Sequence, residues 1–137
     1  FSLWWLYFQR NAGEVIGGDN VSPFVWGFGH YFIFAAAAAI GAGLASRVDF
    51  WTHHGDGSAL VTGAAVTVPV AVILAALWFI HIRLHDSSVR TLVPFSVAIV
   101  VVLGGTYTAV PELVAGLACA ALLAVELILT EGKSETV

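Results

Sequence analysis

SPFVWGFGHYFIFAAAAAIGAGLA, residues 22–45, is the stretch that decides the fold of this chain. Apart from Ser22, His30 and Tyr31, it contains only apolar and small residues. At ~1.5 Å of rise per residue, a helix of this length exceeds the ~30 Å hydrocarbon core of a bilayer. The stretch therefore predicts a membrane-spanning helix.

The composition of the whole chain indicates the same class of protein. Apolar residues make up 59% of it and charged residues only 10%, whereas soluble domains carry about 25% charged residues. The single cysteine, Cys119, lies in an apolar run, so we expect it to pack as a small apolar residue rather than in a disulfide or a Cys-type zinc site. Phosphate-binding glycine loops and basic patches for nucleic acid are missing from the sequence.

Polar stretches divide the chain into five apolar segments. We predict the end of a truncated span at about 1–9 and four complete spans at about 22–46, 59–81, 91–108 and 111–130. Proline at a first helical position supports the starts near 22 and 111. Pro69 is expected to kink the third of these segments. The prediction is an all-α polytopic transmembrane helix bundle forming a single domain.

The first ten residues, FSLWWLYFQR, resemble the last turns of a membrane-spanning helix. It also lacks a start signal of the secretory type. We therefore expect it to be the C-terminal part of a longer membrane protein, whose preceding helices and surrounding lipid bilayer are its partners.

Basic residues predict the orientation in the membrane. By the order of spans, Arg10, Arg83, Arg90 and Lys133 fall on one side, and Arg47 falls on the other. Because short cytoplasmic loops carry the excess of Lys and Arg, the C-terminus is predicted to be cytoplasmic.

Two stretches resemble a known family. The chain is similar to the C-terminal half of the bacterial low temperature requirement A (LtrA) family in two segments. These are residues 4–8 (WWLYF), followed by Arg10, and residues 29–44 (GHYFIFAAAAAIGAGL). The resemblance implies a multi-pass protein of the bacterial inner membrane with a role in cold or stress adaptation. It implies no particular reaction.

His30 is the first candidate functional residue. It lies about two turns inside the second segment, on a face shared with Trp26 and Phe34. An ionisable group at that depth is costly, so we expect it to face the bundle interior and to have a partner. It could contact a proton or ligand in a polar cavity, or it could be a neutral histidine bonded to another helix. Its neighbour Tyr31 is a further candidate.

Glu126 is the second ionisable residue within an apolar segment. By the predicted orientation, His30, Glu126 and Arg10 all lie in the cytoplasmic half of the membrane. A cluster of these three would suit proton handling, since histidine and a carboxylate stabilise each other's charged forms. The alternative is a buried ion pair that fixes the register of the helices.

The remaining histidines favour no metal site. His81 and His85 stand four positions apart, but no HExxH motif is present. His53 and His54 lie on the opposite side of the membrane from them. Surface loops explain both groups, and we predict no metal and no cofactor.

Small residues on the second segment predict close helix packing. Ala37–Gly41 and Ala39–Gly43 are small-xxx-small pairs, and Gly29 lies on the same segment. We expect this helix to be central to the bundle, although the same residues could instead form a homo-oligomer contact.

Three functions are compatible with these features. The leading one is a membrane protein of cold or stress adaptation that passes a small solute or ion through a cavity near His30. The alternatives are a membrane-embedded metal-dependent hydrolase and a structural or assembly subunit. Of these three functions, the sequence favours the two that are not enzymatic over the hydrolase.

Overall fold

The computed structural model describes residues 1–8, 22–54, 57–83 and 89–134, and within these ranges the chain is helical and contains no strand. The prediction of an all-α membrane bundle is confirmed. The α-helices are α1 (Ser2–Phe8), α2 (Ser22–Trp51), α3 (Ala59–Leu77), α4 (Val89–Gly105) and α5 (Pro111–Ser134), and a π-helical segment, Trp78–Arg83, continues α3.

Three helical stretches of the described chain are long and apolar enough to cross a membrane: Gly27–Trp51, Ala59–Ile80 and Pro111–Leu129. A fourth apolar stretch, Leu92–Gly105, is shorter. It belongs to α4, which ends before the predicted limit of 108. In contrast, α2 continues past its predicted end near 46, because Arg47 is buried in the bundle instead of marking the membrane surface.

Contacts between helices define two ends of the bundle. Arg47, late in α2, bonds to Thr62 at the start of α3 and to Glu112 at the start of α5. Thr67 of α3 bonds to Thr106, just after α4. Successive helices from α2 to α5 therefore run in alternating directions. We call this the arginine end. The histidine end holds the start of α2, the π-helical segment, the start of α4 and the end of α5.

Helix α3 lies at the centre of the bundle. Half of its spanning stretch is buried, against 17% for α2 and 22% for α5. The sequence predicted α2 at the centre, but α2 buries only one stripe, which includes Ile33, Ala36, Gly43 and Arg47. Its remaining faces are largely exposed, so its small residues are divided between packed and open surfaces.

Local signals account for the connection between α2 and α3. The last turn of α2 is closed by the N–H groups of His53 and His54, which donate to the carbonyls of Phe50 (3.3 Å) and Asp49 (2.9 Å). This is a Schellman motif with His53 in the left-handed position, at a φ of 58°. Ser58 then caps α3, since its Oγ accepts from the N–H of Val61 at 3.2 Å.

Candidate functional site: a buried histidine and its surroundings

The His30 side chain is buried between helices. Only 8% of the residue is exposed, and it lies on the packed stripe of α2, one turn before Ile33. Because a polar ring without a partner is costly in an apolar bundle, its burial requires hydrogen bonding.

Tyr7 of α1 supplies a hydrogen bond to this histidine. The Tyr7 hydroxyl lies 2.8 Å from His30 Nε2, and the two rings meet edge to face with centroids 5.6 Å apart. The phenol donates when Nε2 carries no proton and accepts when Nε2 is protonated. The sequence identified the histidine but not this partner, because WWLYF at 4–8 is equally typical of aromatics at a membrane interface.

The other predicted members of the cluster have different environments. Glu126 is buried, with 5% of the residue exposed, and lies late in α5, toward the histidine end. Tyr31 is 69% exposed and packs edge to face on Phe32, so it faces away from the bundle. Arg10 lies outside the described residues. The structure therefore places His30 and Glu126 toward one end and brings His30 together with Tyr7.

The glycines of α2 differ in what surrounds them. A Cβ on Gly29 would collide with the Ile80 side chain, and one on Gly43 would collide with the Ala65 carbonyl of α3. Nothing lies within 4 Å of a Cβ built on Gly41, which is exposed. Close approach of α2 to α3 thus depends on Gly29 and Gly43, while Gly41 contacts no neighbouring helix in the described chain.

A second buried polar cluster lies at the arginine end. Arg47 is 4% exposed. Its Nε donates to the Glu112 carboxylate, and its two remaining nitrogens donate to Thr62 Oγ1 (3.3 Å) and the Ala109 carbonyl (3.1 Å). This guanidinium therefore ties α2, α3 and the α4–α5 connection together.

Aromatic rings complete the arginine cluster. The Arg47 Cζ lies 5.5 Å from the Trp51 ring centroid and 5.8 Å from that of Phe50, within the range of cation–π attraction. The sequence did not indicate this cluster, because a lone arginine after an apolar run is typical of the end of a span. A signal for a longer helix was present, since the apolar pattern resumes after Arg47 at Phe50 and Trp51.

A cavity of about 220 Å³ lies between α1, α2, α3 and α5. Its walls are mainly apolar, and its polar lining includes Ser2 and Glu112. Leu3 also lines it, and Tyr7 follows one turn later on α1. Helix α1 therefore borders both the cavity and the His30 hydrogen bond.

The described residues contain no group of three or more His, Cys, Asp or Glu side chains that could hold a metal ion. His53 and His54 are exposed in the turn after α2. His85 lies outside the residues that the structure describes. Nothing in the described part of the chain thus favours the metal-dependent hydrolase.

An all-α bundle with membrane-spanning helices and buried polar clusters defines a polytopic integral membrane protein. A family model described as bacterial low temperature requirement A protein (LtrA) matches residues 1–128 of the chain. The chain therefore belongs to the LtrA family, as the sequence segments 4–8 and 29–44 predicted. No curated protein and no solved structure gives a significant match.

Proposed function

We propose that this chain passes protons or a small ion through a membrane-spanning bundle, and that the activity supports bacterial growth in the cold. The observation that carries the proposal is the part-buried hydrogen bond between Tyr7 and the buried His30, which lies between apolar helices. Buried ionisable groups in spanning helices mark ion and proton pathways by default.

The chemistry of the pair suits proton transfer. An imidazole ring can carry a proton on either nitrogen or on both. A phenol can donate to the neutral ring and accept from the protonated ring, so the pair stays hydrogen bonded in both states. A proton could therefore enter and leave this buried site without leaving either group unsatisfied.

The surroundings of α1 support a route along that helix. The cavity at the arginine end is lined by the Glu112 carboxylate and by Leu3, and Tyr7 lies about 6 Å further along α1 than Leu3. Glu126 adds a buried carboxyl group toward the opposite end. We propose that these groups lie along the path of the transported ion.

We further propose an inner-membrane location with a cytoplasmic C-terminus. Three basic positions lie near helix ends on the histidine side: Arg83 ends the π-helical segment, Arg90 is the second residue of α4, and Lys133 is near the end of α5. Arg47 is buried against Glu112, so it contributes little to the opposite surface. Fluorescence of a green fluorescent protein fused to the C-terminus supports this orientation, whereas an active alkaline phosphatase fusion at that position would contradict it.

The proposal is tested by proton or ion flux in proteoliposomes containing the full-length protein, with a pH-sensitive dye inside the vesicles. Losing one step of a buried relay is expected to lower the rate about tenfold or more, so His30→Ala and Tyr7→Phe should both reduce flux strongly. Tyr107→Phe is the matched control, because Tyr107 is 82% exposed and lies at the arginine end.

Growth of a strain carrying the same variants at low temperature supplies a second readout. We expect His30→Ala to grow poorly in the cold and Tyr107→Phe to grow normally. If folded His30→Ala and Tyr7→Phe proteins conduct as well as the parent protein, the proposed route is wrong.

A further inference from the structure

The cavity between α1, α2, α3 and α5 has a charged group in an otherwise largely apolar wall. Among the described residues that line it, only Ser2 and Glu112 carry side-chain oxygen atoms. Aliphatic side chains form the walls on α2 and α3: Ile40, Leu44, Val66 and Val70. Its volume of about 220 Å³ lies below the range of drug-sized ligand sites, roughly 300–1,000 Å³. The cavity therefore suits a small molecule with an apolar part.

The ion pair at this end presents its negative member to the cavity. Arg47 Nε donates to Glu112 Oε1, and no donor among the described residues bonds to Oε2. The Glu112 side chain is 32% exposed and lines the cavity. Arg47 is buried and is not among the described lining residues. An occupant of the cavity thus meets a carboxylate oxygen, while the guanidinium is held by Glu112, Thr62 and Ala109.

This arrangement favours a small organic cation over other ligands. An anion would approach a group of like charge in an apolar surrounding. Divalent metal ions such as Mg²⁺ and Ca²⁺ take about six or more oxygen ligands, which Ser2 and Glu112 do not supply. An alkylammonium ion makes a charge-assisted hydrogen bond through its head and places its chain against apolar walls.

We propose that this cavity binds a small primary alkylammonium ion, with the ammonium group on Glu112 Oε2 and the alkyl chain against α2 and α3. Arg47 fixes the carboxylate through its other oxygen, so the acceptor is in place before the ion binds and less entropy is lost. The inference rests on the proposed function, because it names the class of ion that enters the route at the arginine end.

Calorimetric titration of the full-length protein in detergent tests this site, with butylammonium as the probe. 1-Butanol has the same chain with a neutral head, and butyrate has a negative one. A hydrogen bond to a charged group is stronger than one between neutral groups, so both should bind at least about tenfold more weakly than butylammonium. Equal binding of the three probes, or no saturable binding of butylammonium, would overturn the proposal.

Substitutions locate the binding site. Glu112→Gln removes the charge and should weaken butylammonium binding about tenfold. Asp49→Asn is the matched control, because Asp49 is exposed at the same end of the bundle and is not among the described lining residues. Unchanged binding by Glu112→Gln, or an equal loss in Asp49→Asn, would contradict the assignment.

A second variant leaves the ion pair in place. Gly116 lines the cavity, and a Cβ built on it meets nothing within 4 Å. Gly116→Val therefore occupies part of the cavity without replacing Arg47 or Glu112, and it should abolish most of the binding. Gly104→Val is its control, because Gly104 also has open space but lies on α4, away from the cavity. Full binding by folded Gly116→Val would place the ion elsewhere.

Failure of this site and failure of the proposed route give different results. Butylammonium binding by a protein that conducts no ions in proteoliposomes would contradict the route and support the site. Ion flux through a protein that binds no butylammonium would contradict the site alone.

Discussion

At the scale of single residues, Gly43 shows how a proline in one helix determines the residue opposite it on another. Pro69 has no N–H, so the Ala65 carbonyl four positions earlier lacks its usual helical donor. Gly43 of α2 lies directly against that carbonyl, where a Cβ would collide with it. The absence of a side chain lets the two helices approach at the point where α3 exposes a backbone acceptor.

We therefore expect Gly43→Ala to destabilise the protein by about 2 kcal/mol, as forced shifts in a packed interior do. The colliding atoms belong to the backbone, so a side-chain rotation cannot relieve the contact. Gly41→Ala is the control two positions earlier, where a Cβ has open space, and it should stabilise the protein by about 0.5–1 kcal/mol, because alanine loses less entropy than glycine in a helix. Thermal unfolding of both variants in detergent measures the difference, and equal midpoints would contradict this account of the packing.

The same residues show what a sequence can predict at this scale. The polarity of His30 within an apolar run predicted a buried group with a partner. The identity of that partner did not follow, because Tyr7 reaches His30 from another helix across 23 positions of sequence. Likewise, Gly41 and Gly43 belong to similar small-residue pairs, and only the rotation of α2 against α3 distinguishes the packed glycine from the exposed one.

At the scale of helices, starts followed local signals more closely than ends did. Pro111 begins α5 and Ser22 begins α2, where proline and serine indicated a start. The end of α2 depends instead on Arg47, whose charge suggests a membrane surface until its partners on other helices are known. An arginine that suggests the end of a span from sequence alone can lie inside a longer helix when its charge is paired.

The Schellman motif at the end of α2 gives a prediction for that helix. His53 adopts a left-handed φ of 58°, which costs an L-residue roughly 1–2 kcal/mol. Glycine avoids this cost but loses more entropy on folding, so His53→Gly should stabilise the protein by about 0.5–1 kcal/mol. Thermal unfolding again provides the measurement.

His54→Gly is the control for this effect. Among the described non-glycine residues, His53 alone has a positive φ, so glycine at 54 relieves no backbone strain and should not stabilise. If both variants shift the unfolding midpoint equally, the strain assigned to His53 is wrong.

At the scale of the whole molecule, two buried polar clusters occupy opposite ends of an otherwise apolar bundle. Along α2, His30 and Arg47 lie about 25 Å apart at ~1.5 Å per residue. Composition and segment length predicted the membrane bundle, because lipid demands long apolar helices whatever their arrangement. They could not predict the arginine cluster, which joins residues up to 65 positions apart, nor the central place of α3, which depends on how all the helices pack.

The arginine cluster should dominate the stability of this end of the bundle. Removing Arg47 leaves the Glu112 carboxylate and the Ala109 carbonyl without their donors, and breaking a buried pair in this way costs roughly 3–5 kcal/mol. Because part of Glu112 is exposed, we expect Arg47→Ala to cost about 3 kcal/mol. Arg47→Lys should recover only part of this, since an ammonium lacks the planar fork that reaches three partners at once.

A double-mutant cycle separates the ion pair from the other contacts of Arg47. Arg47→Met with Glu112→Gln removes both charges while keeping side-chain volume, so the double variant should be more stable than Arg47→Met alone. Equilibrium unfolding in mixed detergent micelles gives the four stabilities of the cycle. Full recovery in the double variant would assign the whole cost to the uncompensated carboxylate. Partial recovery of stability would mean that the remaining cost comes from the lost hydrogen bonds to Thr62 and Ala109, which connect α2 to α3 and to the α4–α5 connection. A cost below about 1 kcal/mol for Arg47→Ala, typical of an exposed pair, would show that this cluster does not hold the end of the bundle together.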